Sequence, residues 1–157
     1  MAGQGFETKT ETKRTSEVIM NDPWFVDLSL LEFANKWTIP AHFKNELLED
    51  KLKFACDEIN QSLLAYLLDM QSEGFNSLAD VPAQEIGGES VKVAQYKRAV
   101  YAKAKAELIM AQIGLSLKAD AESAAKSSEA RIAHYESMSS NALAKIQDKP
   151  TIGVYSI

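Results

Sequence analysis

GFNSLADVPAQEIGGESVKVAQYKRAVYA, residues 74–102, decides how this chain is read, because it joins a turn-rich loop to a long helix. Gly74 can close a preceding helix in a left-handed cap. The Val81-Pro82 and Gly87-Gly88 pairs then interrupt regular structure. Glu89 and Ser90 look like a helix start, for which capping is a sufficient reason. From Ser90 to about residue 117, Val93, Tyr96, Val100, Ala104, Leu108, Ala111 and Leu115 recur at three- and four-residue steps and define one helical face.

Working back from Gly74, the same periodicity runs from about residue 40 to 72 through Phe43, Leu47, Leu48, Leu52, Cys56, Ile59, Leu63, Tyr66, Leu67 and Met70. Thr38 and Pro40 are expected to open that helix, since proline is tolerated in a first turn. Before it, Asp22 to Val26 form a dense apolar group, and Asp27 or Ser29 can cap a short helix carrying Leu30, Leu31, Phe33 and Trp37. Residues 1–21 are polar and hold too little apolar area to offset the entropy of ordering them alone.

Forward of the quoted stretch, a fourth helix is expected over about residues 119–147, with Ala121, Ala125, Ile132, Tyr135, Ala142 and Ile146 on its stripe. Its first turns offer alanine alone, so they bury little area and need a neighbour to cover them. Pro150 ends the helix. The tail Thr151, Ile152, Gly153, Val154, Tyr155, Ser156 and Ile157 is apolar, β-prone and uncharged, which suits addition to a partner as a strand or plug. The fold class read from these segments is all-α: a bundle of about four helices, with extended N- and C-terminal arms. The expected division is a flexible arm over residues 1–21, a helical domain over 22–149 and an extended tail over 150–157.

At 157 residues, 46% hydrophobic and 25% charged, the chain suits one soluble domain with a real core. No apolar run approaches the roughly 20 residues a bilayer-spanning helix needs, and the start lacks the apolar stretch of a signal peptide, so no membrane association is expected. Phosphate loops, dinucleotide fingerprints, cysteine pairs and nucleophile elbows are missing from the sequence. Neither His42 nor His134 has a glutamate three residues before it, as a di-iron bundle would require. The expectation is therefore no catalytic, cofactor or metal residue, and Cys56, lying on an apolar stripe, is read as a small core residue.

Charge is divided unevenly. Residues 44–89 carry ten acids and three bases, whereas 90–118 carry six bases and one acid, within a net charge of −5. The basic residues Lys92, Lys97, Arg98, Lys103 and Lys105, with Ala121 and Ala125 of the thin stripe, are candidates for contacts between copies. The alternative use of the stretch 92–105, with Tyr96 and Tyr101, is a helical nucleic-acid-binding module.

Particular residues carry a resemblance. Leu78, Ala79, Asp80, Val81 and Pro82, then Gly88, Glu89, Ser90, Lys92, Val93, Tyr96, Arg98, Ala99 and Val100, together with Ala144, Ile146, Gln147, Lys149, Pro150 and a short tail closing on Ser156 and Ile157, resemble the head completion proteins (gene L product type) of Peduovirus-like contractile-tailed phages. The resemblance implies a structural connector of the virion neck, assembled in the host cytoplasm. It further implies binding to the portal protein after DNA packaging and a ring of neighbouring copies, dodecameric by portal symmetry. Such a ring extends the DNA channel, lets DNA pass without specific binding, and docks a distal neck or tail-terminator protein. A bore lined by acids of the second helix or by neutral residues, with the basic residues in subunit contacts, fits that role.

Overall fold

The computed structural model describes residues 12–113 and 121–151, with the backbone alone for 121–125. Among the described residues, five helices and two very small antiparallel ribbons replace the expected all-α four-helix arrangement. Helix α1, Leu30–Lys36, forms where a cap was expected: Ser29 Oγ accepts from the Glu32 amide at 3.1 Å. Asp27, the other candidate, instead accepts from the Asn21 amide. Just before α1, strands β1, Val18–Ile19, and β2, Leu28–Ser29, pair.

The single helix expected over 40–72 is two helices, α2, Asn45–Ser62, and α3, Leu64–Ser72. Its start is late because Arg14 donates to the carbonyls of Pro40 and Phe43, the first of which a helix beginning at Pro40 would need for its own ladder. Pro40 sits in a turn closed by the Phe43 amide. The break falls at Leu63, where Ser62 Oγ bonds back to the Glu58 carbonyl at 2.9 Å, a contact that bends helices. Arg14 lies within the expected arm. Residues 12–21 are tied to the body by the Thr12 amide to the Ala41 carbonyl, by Arg14, and by Asn45 to the Lys13 carbonyl; residues 1–11 lie outside the described part.

Between α3 and the next helix, a 3₁₀ turn at Leu78–Asp80 is followed by a hairpin of β3, Glu85–Ile86, and β4, Glu89–Ser90. Gly87 and Gly88 adopt φ of 63° and 78°, the left-handed pair that a two-residue hairpin turn requires. Glu89 and Ser90 are thus a strand rather than a cap. Glu89 bonds Lys97 at 3.0 Å, and Ser90 Oγ is buried with no hydrogen-bond partner among the described residues.

Helix α4, Val91–Ile113, follows directly and is the axis of the molecule; 12 of its 23 residues are buried, on every side. Helix α5, Ala121–Ile146, runs antiparallel to it, with Ser139 Oγ donating to the Ala99 carbonyl at 2.8 Å and the small residues Ala99, Ala102 and Ala106 fully buried. On the expected inward face of α4, Val93, Tyr96, Val100, Ala104 and Leu108 are buried, Ala111 is half-buried and Leu115 lies outside the described residues.

Four long polar side chains of α4 stitch the rest to it. Tyr96 OH donates to Asn60 Oδ1 and accepts from Asn21 Nδ2, each at 2.6 Å, and Cys56 donates to Asn21 Oδ1 at 3.2 Å, which joins the N-terminal segment, α2 and α4. Cys56 is a buried core thiol, its pKa pushed up by burial. Tyr101 OH donates to Glu32 at 2.8 Å and accepts from the Ser29 amide.

The two buried lysines cap helix ends. Three helices finish in the same way, with an amide reaching back five residues: Ile39 to Ala34, Phe75 to Met70 and Lys149 to Ala144. The left-handed residues are Thr38, Gly74 and Asp148 at φ of 51°, 96° and 55°, so Gly74 closes α3 as expected. Lys105 Nζ donates to the Trp37 carbonyl at the end of α1; Lys92 Nζ donates to the Ile146 carbonyl at the end of α5 and pairs with Asp148. Each cation meets the negative pole of a helix and an otherwise orphaned carbonyl.

Replacing Lys105 by Met should therefore lower stability by about 1–3 kcal/mol, because the Trp37 carbonyl loses its donor; urea unfolding checks this. Along the α2–α4 seam, where Lys103 meets Glu58 at 3.3 Å, burial first and then Glu58 raise the Glu107 carboxyl pKa. A carboxyl whose folded pKa is raised favours the fold when protonated and opposes it once ionised, so stability falls as pH rises from the unfolded value through the folded one. Glu107→Gln should melt higher than the parent at neutral pH, with the difference closing in acid; thermal scans at the two pH values test the sign.

Candidate functional site

Two faces stand out once α4 is placed. Where α1 ends against α4 and α5, three adjoining open clefts of about 260, 310 and 220 Å³ form one groove, and Arg98 lines all three. Lys36 and Trp37 line its α1 end, Lys97 and Tyr101 the α4 wall, and His134, Tyr135, Met138 and Lys145 the α5 wall. Lys36 pairs with Glu32 at 2.8 Å and Lys97 with Glu89. Although burial alone would raise it, the Glu32 pKa is lowered by hydrogen bonds from Lys36 and Tyr101, so the carboxylate stays ionised. Arg98 is exposed and has no ion pair or hydrogen bond among the described residues. Beside it, Gln95 Oε1 is buried and lacks a partner there too.

On the far side of α4, the outward ridge of α2 and α3 carries Asp50, Phe54, Asp57, Gln61, Leu64 and Leu68 at three- and four-residue steps, all exposed. Phe54, Leu64 and Leu68 keep 58%, 54% and 55% of their surface in water, far more than large apolar side chains usually do in a core-facing helix. No residue of α3 is buried.

The structure separates the residues singled out in the sequence. Lys92 and Lys105 act within the chain as helix caps, and Lys97 and Lys103 pair with Glu89 and Glu58. Of the five basic candidates, Arg98 alone is both exposed and unpaired among the described residues. The side chains of Ala121 and Ala125 lie outside the described part, as do residues 152–157; Thr151 is described and half-buried. A nucleic-acid surface on 92–105 is not supported, since Tyr96 and Tyr101 are buried with their hydroxyls bonded inward, burial raising the pKa of each. Sequence reasoning missed the hairpin and the capping lysines. The Gly87-Gly88 pair signalled the former, whereas the latter depend on segments more than fifty residues apart.

Among the described residues, no group of three or more His, Cys, Asp or Glu could hold a metal ion. Also among them, no helix is long and apolar enough to cross a membrane. Among the described residues, the features that stand out are the open groove and the exposed ridge.

Comparison with known proteins agrees. The chain is 31% identical over 150 residues to the head completion/stabilization protein of Escherichia phage P2, covering 96% of this chain and 89% of that protein. It is 28% identical over 92 residues to the probable head completion/stabilization protein of Haemophilus phage HP1 (strain HP1c1), covering 59% of this chain and 61% of that one. No solved structure matches the chain significantly. Residues 19–157 match the family described as phage head completion protein (GPL). With a match of that extent, this chain belongs to the phage head completion proteins, structural components of the particle rather than enzymes.

Proposed function

We propose that this chain completes the phage head by seating on the portal protein once DNA is packaged, forming with neighbouring copies a ring that prolongs the DNA channel and presents a platform to the next neck or tail component. Family membership across residues 19–157 is the observation that carries this reading. Portal symmetry makes the ring dodecameric.

Partly covered surfaces supply a physical reason for assembly. In α5, none of residues 126–138 is buried and burial begins at Ser139, so the described part of its first half contributes little to the core. A monomer with thinly covered helices gains burial by associating, which makes assembly depend on the surface that nucleates it. The tail 151–157 follows the Lys92–Asp148 pair in the chain and serves as the portal-docking segment, adding its β-prone residues to a partner by strand pairing. DNA sliding through a ring is best served by an acidic or neutral bore, because unpaired lysines and arginines there would hold phosphates.

Deleting residues 151–157 should leave helical content and melting nearly unchanged while abolishing attachment to DNA-filled heads. Pelleting of the truncated chain with purified heads tests this; normal attachment would sink the tail's role. The intact chain should bind free duplex DNA weakly, without the steep salt dependence of a phosphate reader.

A further inference from the structure

We infer that the outward ridge of α2 and α3 on one copy seats in the Arg98 groove of the next, so that this single head-to-tail contact generates the ring; the inference rests on the ring reading above. The two surfaces lie on opposite sides of α4. Helix α2 packs on the side bearing Tyr96, Val100 and Lys103, whereas the groove opens on Ala94, Arg98 and Tyr101, about 160° away at 100° per residue. A patch and its complement on opposite sides of one subunit cannot satisfy each other within that subunit or in a two-fold dimer. They join copies head to tail, and such a contact closes into a ring when its rotation divides the circle.

The surfaces match in chemistry. The ridge alternates the acids Asp50 and Asp57 with Phe54, Leu64 and Leu68, each more than half exposed. The groove sets Arg98 and Lys145 among Trp37, Tyr135 and Met138, while its acids Glu32 and Glu89 are taken up by Lys36 and Lys97. Charge supplies the second argument for a copy of the same chain as occupant. Residues 44–89, which include the ridge, hold ten acids and three bases, and of the bases singled out in 92–105 the fold leaves Arg98, on the groove's α4 wall, open to meet them. Arg98, exposed and unpaired among the described residues, is suited to receive a carboxylate, and on the ridge Gln61 Nε2 donates to Asp57 Oδ2 at 3.0 Å and holds that carboxylate in place. Asp50 and Asp57 are thereby removed from the bore, whose lining comes from elsewhere on the chain.

The test is charge reversal in the full-length chain. Arg98→Glu and Asp57→Arg alter exposed residues, so both variants should melt like the parent. Each should weaken self-association about tenfold or more in sedimentation at low salt, as like charges placed face to face do. The double variant, which restores the pair with its signs exchanged, should recover most of the loss. Copies retained on DNA-filled heads, counted for the same four proteins, should follow the same order even where the free chain stays monomeric. Single variants that assemble like the parent in both measurements, or a double variant no better than the singles, would overturn this contact while leaving the ring standing. Assembly disrupted by removing residues 151–157 but not by either reversal would make the tail the occupant and overturn it too. A parent present on heads as a single copy would defeat the ring reading itself, and this contact with it.

Discussion

A helix buried on all sides cannot hold its polar side chains in place with water, and α4 carries four long ones in that position. Lys92 and Lys105 cost a great deal to bury unless the charge is paired or hydrogen-bonded. Each finds one in a helix end: the Ile146 carbonyl, with Asp148 beside it, for Lys92, and the Trp37 carbonyl for Lys105. The ammonium groups also lie over aromatic rings, Lys92 at 5.4 Å from Tyr66 and Lys105 at 5.0 Å from Tyr135. Because α1 and α5 end where these lysines reach, α4 fixes where the chain turns as well as what it packs against. Thr38, a branched residue held at φ 51°, is the local strain that such a junction tolerates.

Tyr96 and Tyr101 complete the framework by fastening the segment before α1 and the first turn of α1 to the same axis. Phe25 stacks on Tyr96 at 4.8 Å and Phe33 on Tyr101 at 5.4 Å, so each polar anchor is backed by an aromatic contact. The outcome is a molecule with one firm axis and unevenly covered flanks. Helix α3 buries none of its residues and the described first half of α5 none of its own, which are the marks of elements whose local opening is easy. For a protein that completes a head, that unevenness has a use. In the assembly proposed above, the axis would hold the docking surfaces in register and the flanks would gain their cover from other chains.

Function follows from surface rather than from reactive groups. The buried thiol of Cys56 belongs to the hydrogen-bonded interior, and His42 and His134 are exposed beside aromatic neighbours, Phe43 and Tyr135. What distinguishes the exterior is the separation of an acidic, partly apolar ridge from a basic, aromatic groove by the full width of α4. Two such faces on one rigid axis define a direction, and direction is what a repeating assembly needs from its subunit.

Family, helical character and several element ends were legible in the residues themselves. The phrase from Leu78 to Val100 pointed to the family, the 3.6-residue periodicity located the helices, and Ser29 and Gly74 marked a start and a stop because capping is local chemistry. Tertiary structure alone decided the roles of the basic residues. From composition, Lys92, Lys97, Arg98, Lys103 and Lys105 are one charged stretch; folding turns two into caps for helices whose ends lie far away in the chain, pairs two with nearby acids and leaves Arg98 open. The break at Leu63, the late start of α2 under Arg14 and the docking of residues 12–21 on the body arose in the same way. A side chain's job depends on which distant carbonyl or carboxylate it meets, and spacing along the sequence does not record that.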